Sequence, residues 1–165
     1  MIWSPVSSCD PRVLALADRH YSRITPGSRK ATGPGREVVL LHETGLALFV
    51  AKHQLPPKGP RVFRCSICRN ESEERGSWIV ETGYIAACLE WVMRYGALPK
   101  ERMRTEVDTR KVRSPNPGAC FLIAGWKRID GPPSAKVRRP WLRYFEAPAV
   151  RVVTFADAIC VEYAR

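Results

Sequence analysis

A few side chains stand at points where chemistry is easily arranged. His20 and Tyr21 lie where an N-terminal helix should end and a loop rich in glycine and proline begins. An imidazole titrates near neutrality, so His20 is suited to moving a proton or placing a substrate. The competing role is a helix-end histidine facing the helix dipole, with Tyr21 packed inside. Arg69, Asn70 and Glu71 follow directly on a strand, at the carboxyl end where open α/β sheets take up ligands. They offer a cation, an amide and a carboxylate in one corner, although a polar surface turn has the same composition. Asp108 ends a later strand and by topology faces the same side of the sheet. It is suited to act as a base, to hold an amine, or simply to cap Thr109 and Arg110.

The thiols give less. The six cysteines, Cys9, Cys65, Cys68, Cys88, Cys120 and Cys160, read as reduced side chains. Cys65 and Cys68 have a metal-like spacing, but no second pair follows at finger distance. Residues three apart in an extended strand also point to opposite faces. Cys120 opens a short helix, whose N-terminus lowers a thiol pKa; burial as a small apolar side chain is the commoner state.

Charge is the strongest bulk signal. The 165 residues carry 27 Lys and Arg against 16 Asp and Glu, a net charge of +11. A polyanionic partner is expected, with DNA, RNA and anionic membrane as the usual candidates. The basic residues gather in two clusters. The first is Arg23, Arg29, Lys30 and Arg36. The second runs Arg102, Arg104, Arg110, Lys111, Arg113, Lys127, Arg128, Lys136, Arg138, Arg139 and Arg143. Arg29, Lys30, Arg36, Lys111, Arg113, Lys127 and Arg128 are the expected nucleic-acid contacts. Tyr21, Trp126, Trp141 and Tyr144 lie among them, a mixture suited to phosphate contact with base stacking. A solvated basic face beside core aromatics has the same pattern. No apolar run approaches the roughly 20 residues of a membrane span. The first residues lack a charged region followed by an apolar one, so no signal peptide and a cytoplasmic location are expected.

Positioning these groups requires a particular order of elements. Asp10-Pro11 starts a helix with Val13, Leu16, Ala17 and His20 on one face. A mobile basic loop spans Thr25 to Arg36. Glu37–His42 and Leu46–His53 read as a hairpin turning at Glu43-Thr44-Gly45. After a Pro/Gly loop, Gln54 to Pro60, a third strand runs Arg61 to Cys68. The longest helix runs from an N-cap at Ser77 to Tyr95, stopped by Gly96, with Trp78, Ile85, Leu89, Val92 and Met93 as its apolar stripe. Arg102–Asp108 is a strand and Ala119–Ala124 a short helix. Trp126–Ile129, Trp141–Glu146 and Val150–Phe155 are strands, with a loop at Pro132-Pro133. Short turns imply antiparallel pairs and the long helix a parallel crossover. The expectation is a single α/β domain, 1–165, with a mixed, mostly antiparallel sheet and helices on both faces. Residues 147–165 are read as a C-terminal extension of it, and the tail from Val150 to Arg165 is either a domain strand or a dimer contact.

That order resembles the GNAT acyltransferase fold over roughly residues 1 to 147. In that fold a strand leads into a long helix whose N-terminus receives the pyrophosphate of acyl-CoA. Here the equivalent is Val62 to Cys68 followed by Arg69-Asn70-Glu71-Ser72-Glu73-Glu74-Arg75-Gly76-Ser77. Free N–H groups and the positive end of a helix dipole attract phosphate. Asn116-Pro117-Gly118-Ala119-Cys120-Phe121-Leu122-Ile123-Ala124-Gly125-Trp126 resembles the family's closing helix with its Gly-aromatic end. The resemblance implies acyl-CoA, for instance acetyl-CoA, as cofactor, held by Arg75, Gly76, Ser77 and Asn116. Of the family's phosphate loop the chain keeps only Arg75-Gly76-Ser77, and it adds Glu71, Glu73 and Glu74.

Narrower similarity lies in His20-Tyr21-Ser22, in Arg69-Asn70-Glu71, and in Lys111-Val112-Arg113 ahead of Asn116-Pro117-Gly118. These resemble a phage group related to the Mom DNA-modification proteins, GNAT-like enzymes with degraded CoA loops. The resemblance implies a phage-encoded enzyme of the bacterial cytoplasm. It would transfer an acyl or related group to an exocyclic or hypermodified base position in DNA, against host restriction. His20, Tyr21, Arg69, Asn70, Glu71 and Asp108 would form its crevice. A different donor or a metal is the alternative to CoA. Two rival readings remain beside it. One is a DNA-binding accessory protein without turnover; the other is an acetyl-CoA-dependent acetyltransferase of a small molecule or protein.

Overall fold

The computed structural model describes residues 2–54, 60–131, 139–155 and 158–163. Part of the loop after the second hairpin strand, Pro132-Pro133, Lys136 and Arg138 lie outside the described residues. Seven strands form one mixed, mostly antiparallel sheet in the order β1-β2-β3-β4-β5-β7-β6. They are β1 (Trp3–Pro5), β2 (Arg36–His42), β3 (Ala47–Gln54), β4 (Val62–Asn70), β5 (Arg104–Asp108), β6 (Lys127–Ile129) and β7 (Leu142–Glu146). A separate hairpin joins β8 (Val150–Phe155) to β9 (Ala158–Tyr163).

Helices lie on both faces. Helix α1 (Pro11–Asp18) starts where the Asp10 carboxylate accepts the Arg12 amide at 2.9 Å, with Pro11 in the first turn. It buries Val13, Leu16 and Ala17 against Val39, Leu41, Leu48, Val50 and Ile67. The long helix α2 (Gly76–Tyr95) and the short α3 (Ala119–Ile123) cover the other face, over Val38, Leu40, Phe49, Phe63 and Phe145. Strands β2 and β3 are therefore apolar on both sides, and their cores read as continuous apolar runs without alternation.

Helix α2 departs from the expected face and start. Its N-cap is Arg75, and its buried residues are Ile79, Val80, Gly83, Tyr84, Ala87, Cys88 and Trp91. Trp78 and Met93, expected in the stripe, are 47% and 64% exposed. The reason is close approach: a Cβ on Gly83 would come 2.8 Å from Phe49 Cδ2, so small residues set the contact with the sheet. Two strands were not anticipated. β1 pairs antiparallel with β2, Trp3 opposite His42, and Trp3 Nε1 donates to Thr82 on α2 at 2.9 Å. β9 completes the C-terminal hairpin, which packs on α2: the Tyr84 hydroxyl donates to the Pro148 carbonyl at 2.8 Å, and Val152 and Val161 join the α2-side core.

Two irregularities in β4 shape everything that follows. Val50 faces Ile67 and Ala51 faces Cys65, so Ser66 is a bulge with no partner on β3. The parallel neighbour β5 meets β4 at one pair, Arg64 with Arg104. Beyond that pair the carboxyl halves of the two strands separate into a V.

Candidate nucleic-acid groove

The V opens into a cavity of about 1730 Å³. Helix α1 covers only the β2–β4 part of its face, so the β5–β7–β6 part of that face is bare and forms the floor. Glu106, Asp108, Leu142, Tyr144 and Ile129 belong to it, Arg64 of β4 borders it, and Cys65, Val107, Cys120 and Phe121 reach in from the α2 side. Space thus passes through the sheet between β4 and β5.

The lining is strongly basic: ten Lys and Arg against three carboxylates. Its centre is a row of cations in register. Lys52 on β3 stands opposite Arg64 on β4, which stands opposite Arg104 on β5. Like charges directly opposite one another destabilise a sheet. Arg104 is compensated by Glu146 at 2.7 Å, whereas Arg64 has only Glu106 at 3.8 Å. Lys52 Nζ donates to the Gly33 carbonyl at 2.8 Å, and burial, partly offset by Glu37, lowers its pKa. Of the expected contacts, Arg29, Lys30 and Lys111 line the groove. Arg36 lies over the Tyr95 ring, 5.3 Å from its centre, and Arg113 and Lys127 are exposed outside the lining. Arg128 and Asn116 border a separate hollow of about 150 Å³. Lys52, Arg61 and Arg64 were not anticipated. The signal for Lys52 was a lone charge at the end of an apolar run, Leu48-Phe49-Val50-Ala51.

His20 and Tyr21 sit inside the V, their rings stacked 4.4 Å apart. His20 Nδ1 accepts from the Ser22 hydroxyl at 2.7 Å and the Ser22 amide at 3.3 Å, so the other ring nitrogen carries the proton. That side faces the Cys68 carbonyl of β4. Burial, and then the charge of Arg69, push its pKa down to about 4, so the ring is neutral at pH 7. The Tyr21 hydroxyl donates to the Glu106 carbonyl of β5 at 3.0 Å. The pair therefore spans the gap, one ring on each strand, and occupies backbone groups that lack a ladder partner.

Arg69, Asn70 and Glu71 are together but outside the cavity lining. Arg19 clasps Glu71 through two bonds of 2.8 and 2.7 Å, and Arg69 Nε adds a third at 2.8 Å. Those guanidinium groups, Arg19 foremost, lower the Glu71 pKa to about 2. Asn70 fixes its own turn, donating to the Glu74 carbonyl at 2.7 Å and accepting from the Ser72 amide at 3.0 Å. Asp108 lines the cavity, but its carboxylate receives the Arg110 amide at 3.0 Å and guanidinium at 2.9 Å, which lowers its pKa. Arg110 stacks 4.3 Å from the Trp141 ring.

The thiols differ from expectation. The bulge at Ser66 reverses the phase of β4, so Cys65 and Cys68 both face the α2-side core, where Cys120 joins them. Burial raises the Cys65 thiol, with Cys68 beside it adding to the shift. Cys120 is likewise pushed up to about 11, by burial first, instead of being activated by its helix. All six cysteines are free. Among the described residues no cluster of His, Cys, Asp and Glu is arranged to hold a metal.

The corner expected for acyl-CoA stands apart from the groove. Arg75, Gly76 and Ser77 open α2 away from the cavity lining, and a Cβ on Gly76 would lie 3.4 Å from Cys120 Cβ. Among the described residues no helix is long and apolar enough to cross a membrane. Compared with family models, curated proteins and solved structures, the chain matches none of them.

Proposed function

We propose that this chain is a GNAT-like enzyme that modifies a nucleobase in DNA, binding the strand in the basic groove and taking the target base into the V. The observation that carries the reading is the in-register row Lys52–Arg64–Arg104 along an open groove, in which, among the described residues, Arg104 alone has a carboxylate within 3 Å. Such a row is relieved by an anion, and a phosphodiester backbone supplies one at every nucleotide. Tyr144 on the floor offers a ring for stacking. A base drawn from its stack would meet Ser22, Tyr21 and Asp108 on the cavity wall. The transferred group, acyl or related, is assigned to a donor that enters through this cavity; no step is routed through the Arg75–Ser77 corner.

The first test joins two measurements. Nucleosides from plasmid DNA recovered after expression should show a new mass, absent with Arg64→Ala. DNA binding by Arg64→Ala should lose about one unit of salt slope. No binding by the wild type would sink the proposal.

A second reading, a DNA-binding accessory protein without turnover, is favoured by one observation. The acid–base candidates are all occupied: His20 is neutral, with Nδ1 taken by Ser22 and its other side toward the Cys68 carbonyl, and Glu71 and Asp108 are held by arginines. Salt-dependent binding with no new nucleoside on plain or phage-modified DNA would select it.

A further inference from the structure

Ile24 is 95% exposed, more than any other large apolar side chain among the described residues, and it stands on the rim of the groove with Arg29 and Lys30. Nothing about its surroundings is loose. Arg23, its side chain only 7% exposed, pairs with Asp18 at 2.8 Å and donates to the carbonyls of Lys30, Ala31 and Ser28 at 2.7, 2.7 and 3.1 Å. The Gly27 amide is held by Asp18 at 2.9 Å. Thr25 to Ser28 close a turn, with Pro26 at its second position and Gly27 at φ +77°. The loop expected to be mobile is thus built around a buried guanidinium. Ordering it costs conformational entropy, and an isoleucine left in water returns none of that by burial.

Resting on the DNA reading above, we infer that Ile24 is an insertion wedge. It enters the base stack of a duplex and fills the place left by the nucleotide drawn into the V. Apolar side chains between base steps unstack and kink duplexes in this way, and extraction of a base leaves a gap that must otherwise fill with water. Arg29 and Lys30 on the same loop lie where they can hold the flanking phosphates. Ile24 is a positioning residue and touches no reacting atom.

The inference is tested by binding duplex and single-stranded DNA of one sequence, with 2-aminopurine reporting unstacking in the duplex. Ile24→Ala should lose at least about fivefold in duplex affinity while keeping single-strand affinity, and should no longer raise 2-aminopurine emission; Ile24→Met should restore both. Equal affinities and emission for wild type and Ile24→Ala would overturn the wedge and leave the groove intact. Failure of the wild type to bind either form would overturn the DNA reading, and the wedge with it.

Discussion

Replacing His20 by Gln removes one proton-binding group from the interior while keeping an amide able to serve both ring partners. The unfolded chain binds a proton at His20 near pH 6.5, the native chain only near pH 4. Between those values the unfolded state holds more protons, so native stability falls as pH drops through this window and is unaffected by this group above it. The whole gap is worth about 3 kcal/mol, and the part crossed between pH 7 and pH 5 about 2 kcal/mol. Glu71 and Asp10, both held near a pKa of about 2 by arginines, lose their contributions only at lower pH and cancel in the comparison. Urea unfolding followed by tryptophan fluorescence at pH 7, 6 and 5 should show the wild type losing about 2 kcal/mol more than His20→Gln. Parallel pH profiles would refute the reasoning, because they would mean that the native ring is solvated or already charged.

Gly118→Ala should destabilise strongly: the new Cβ would lie 2.3 Å from Phe145 Cζ at a φ of +88°. The left-handed backbone and the overlap together cost about 2–5 kcal/mol, and an unchanged urea midpoint would contradict this. Cys120, with its pKa near 11, should alkylate with iodoacetamide at pH 8 about a hundredfold more slowly than a free thiol. Peptide mass spectrometry measures this, and rapid labelling of Cys120 in the folded protein would show that the thiol is not buried as described.

Element order was legible because glycine, proline and turn residues punctuate the chain and apolar runs between them have strand or helix length. The buried face of α2 was not. Trp78 and Met93 are large and apolar, but the face that meets the sheet is chosen by how closely backbones approach, and Gly83 and Ala87 decide that. The bulge left no mark either. Ser66 is an ordinary member of an alternating strand, and only pairing with β3 shows that it is extra; the faces of Cys65 and Cys68 were misjudged for that reason. At the site, the sequence revealed groups without their partners. Arg69, Asn70 and Glu71 looked like a reactive corner until Arg19, 52 residues away, proved to hold the carboxylate. The groove was legible as net charge and as part of its lining, whereas the row through Lys52 and Arg64 exists only once three strands lie side by side.

The single Arg64–Arg104 pair makes the sheet behave as two plates fastened by one rivet. One plate carries β1 to β4, the other β5, β7 and β6. No ladder of backbone bonds fixes the angle between them; it is set by the helices beneath, by the Thr105 hydroxyl donating to the Cys65 carbonyl at 3.0 Å, and by the stacked His20 and Tyr21 in the gap. Amides in the middle of the sheet, on β4 beyond Arg64 and pointing toward β5, should therefore exchange their hydrogens as fast as those of an outer strand. Jaw width is then a property of side chains, open to adjustment one substitution at a time without re-registering any strand.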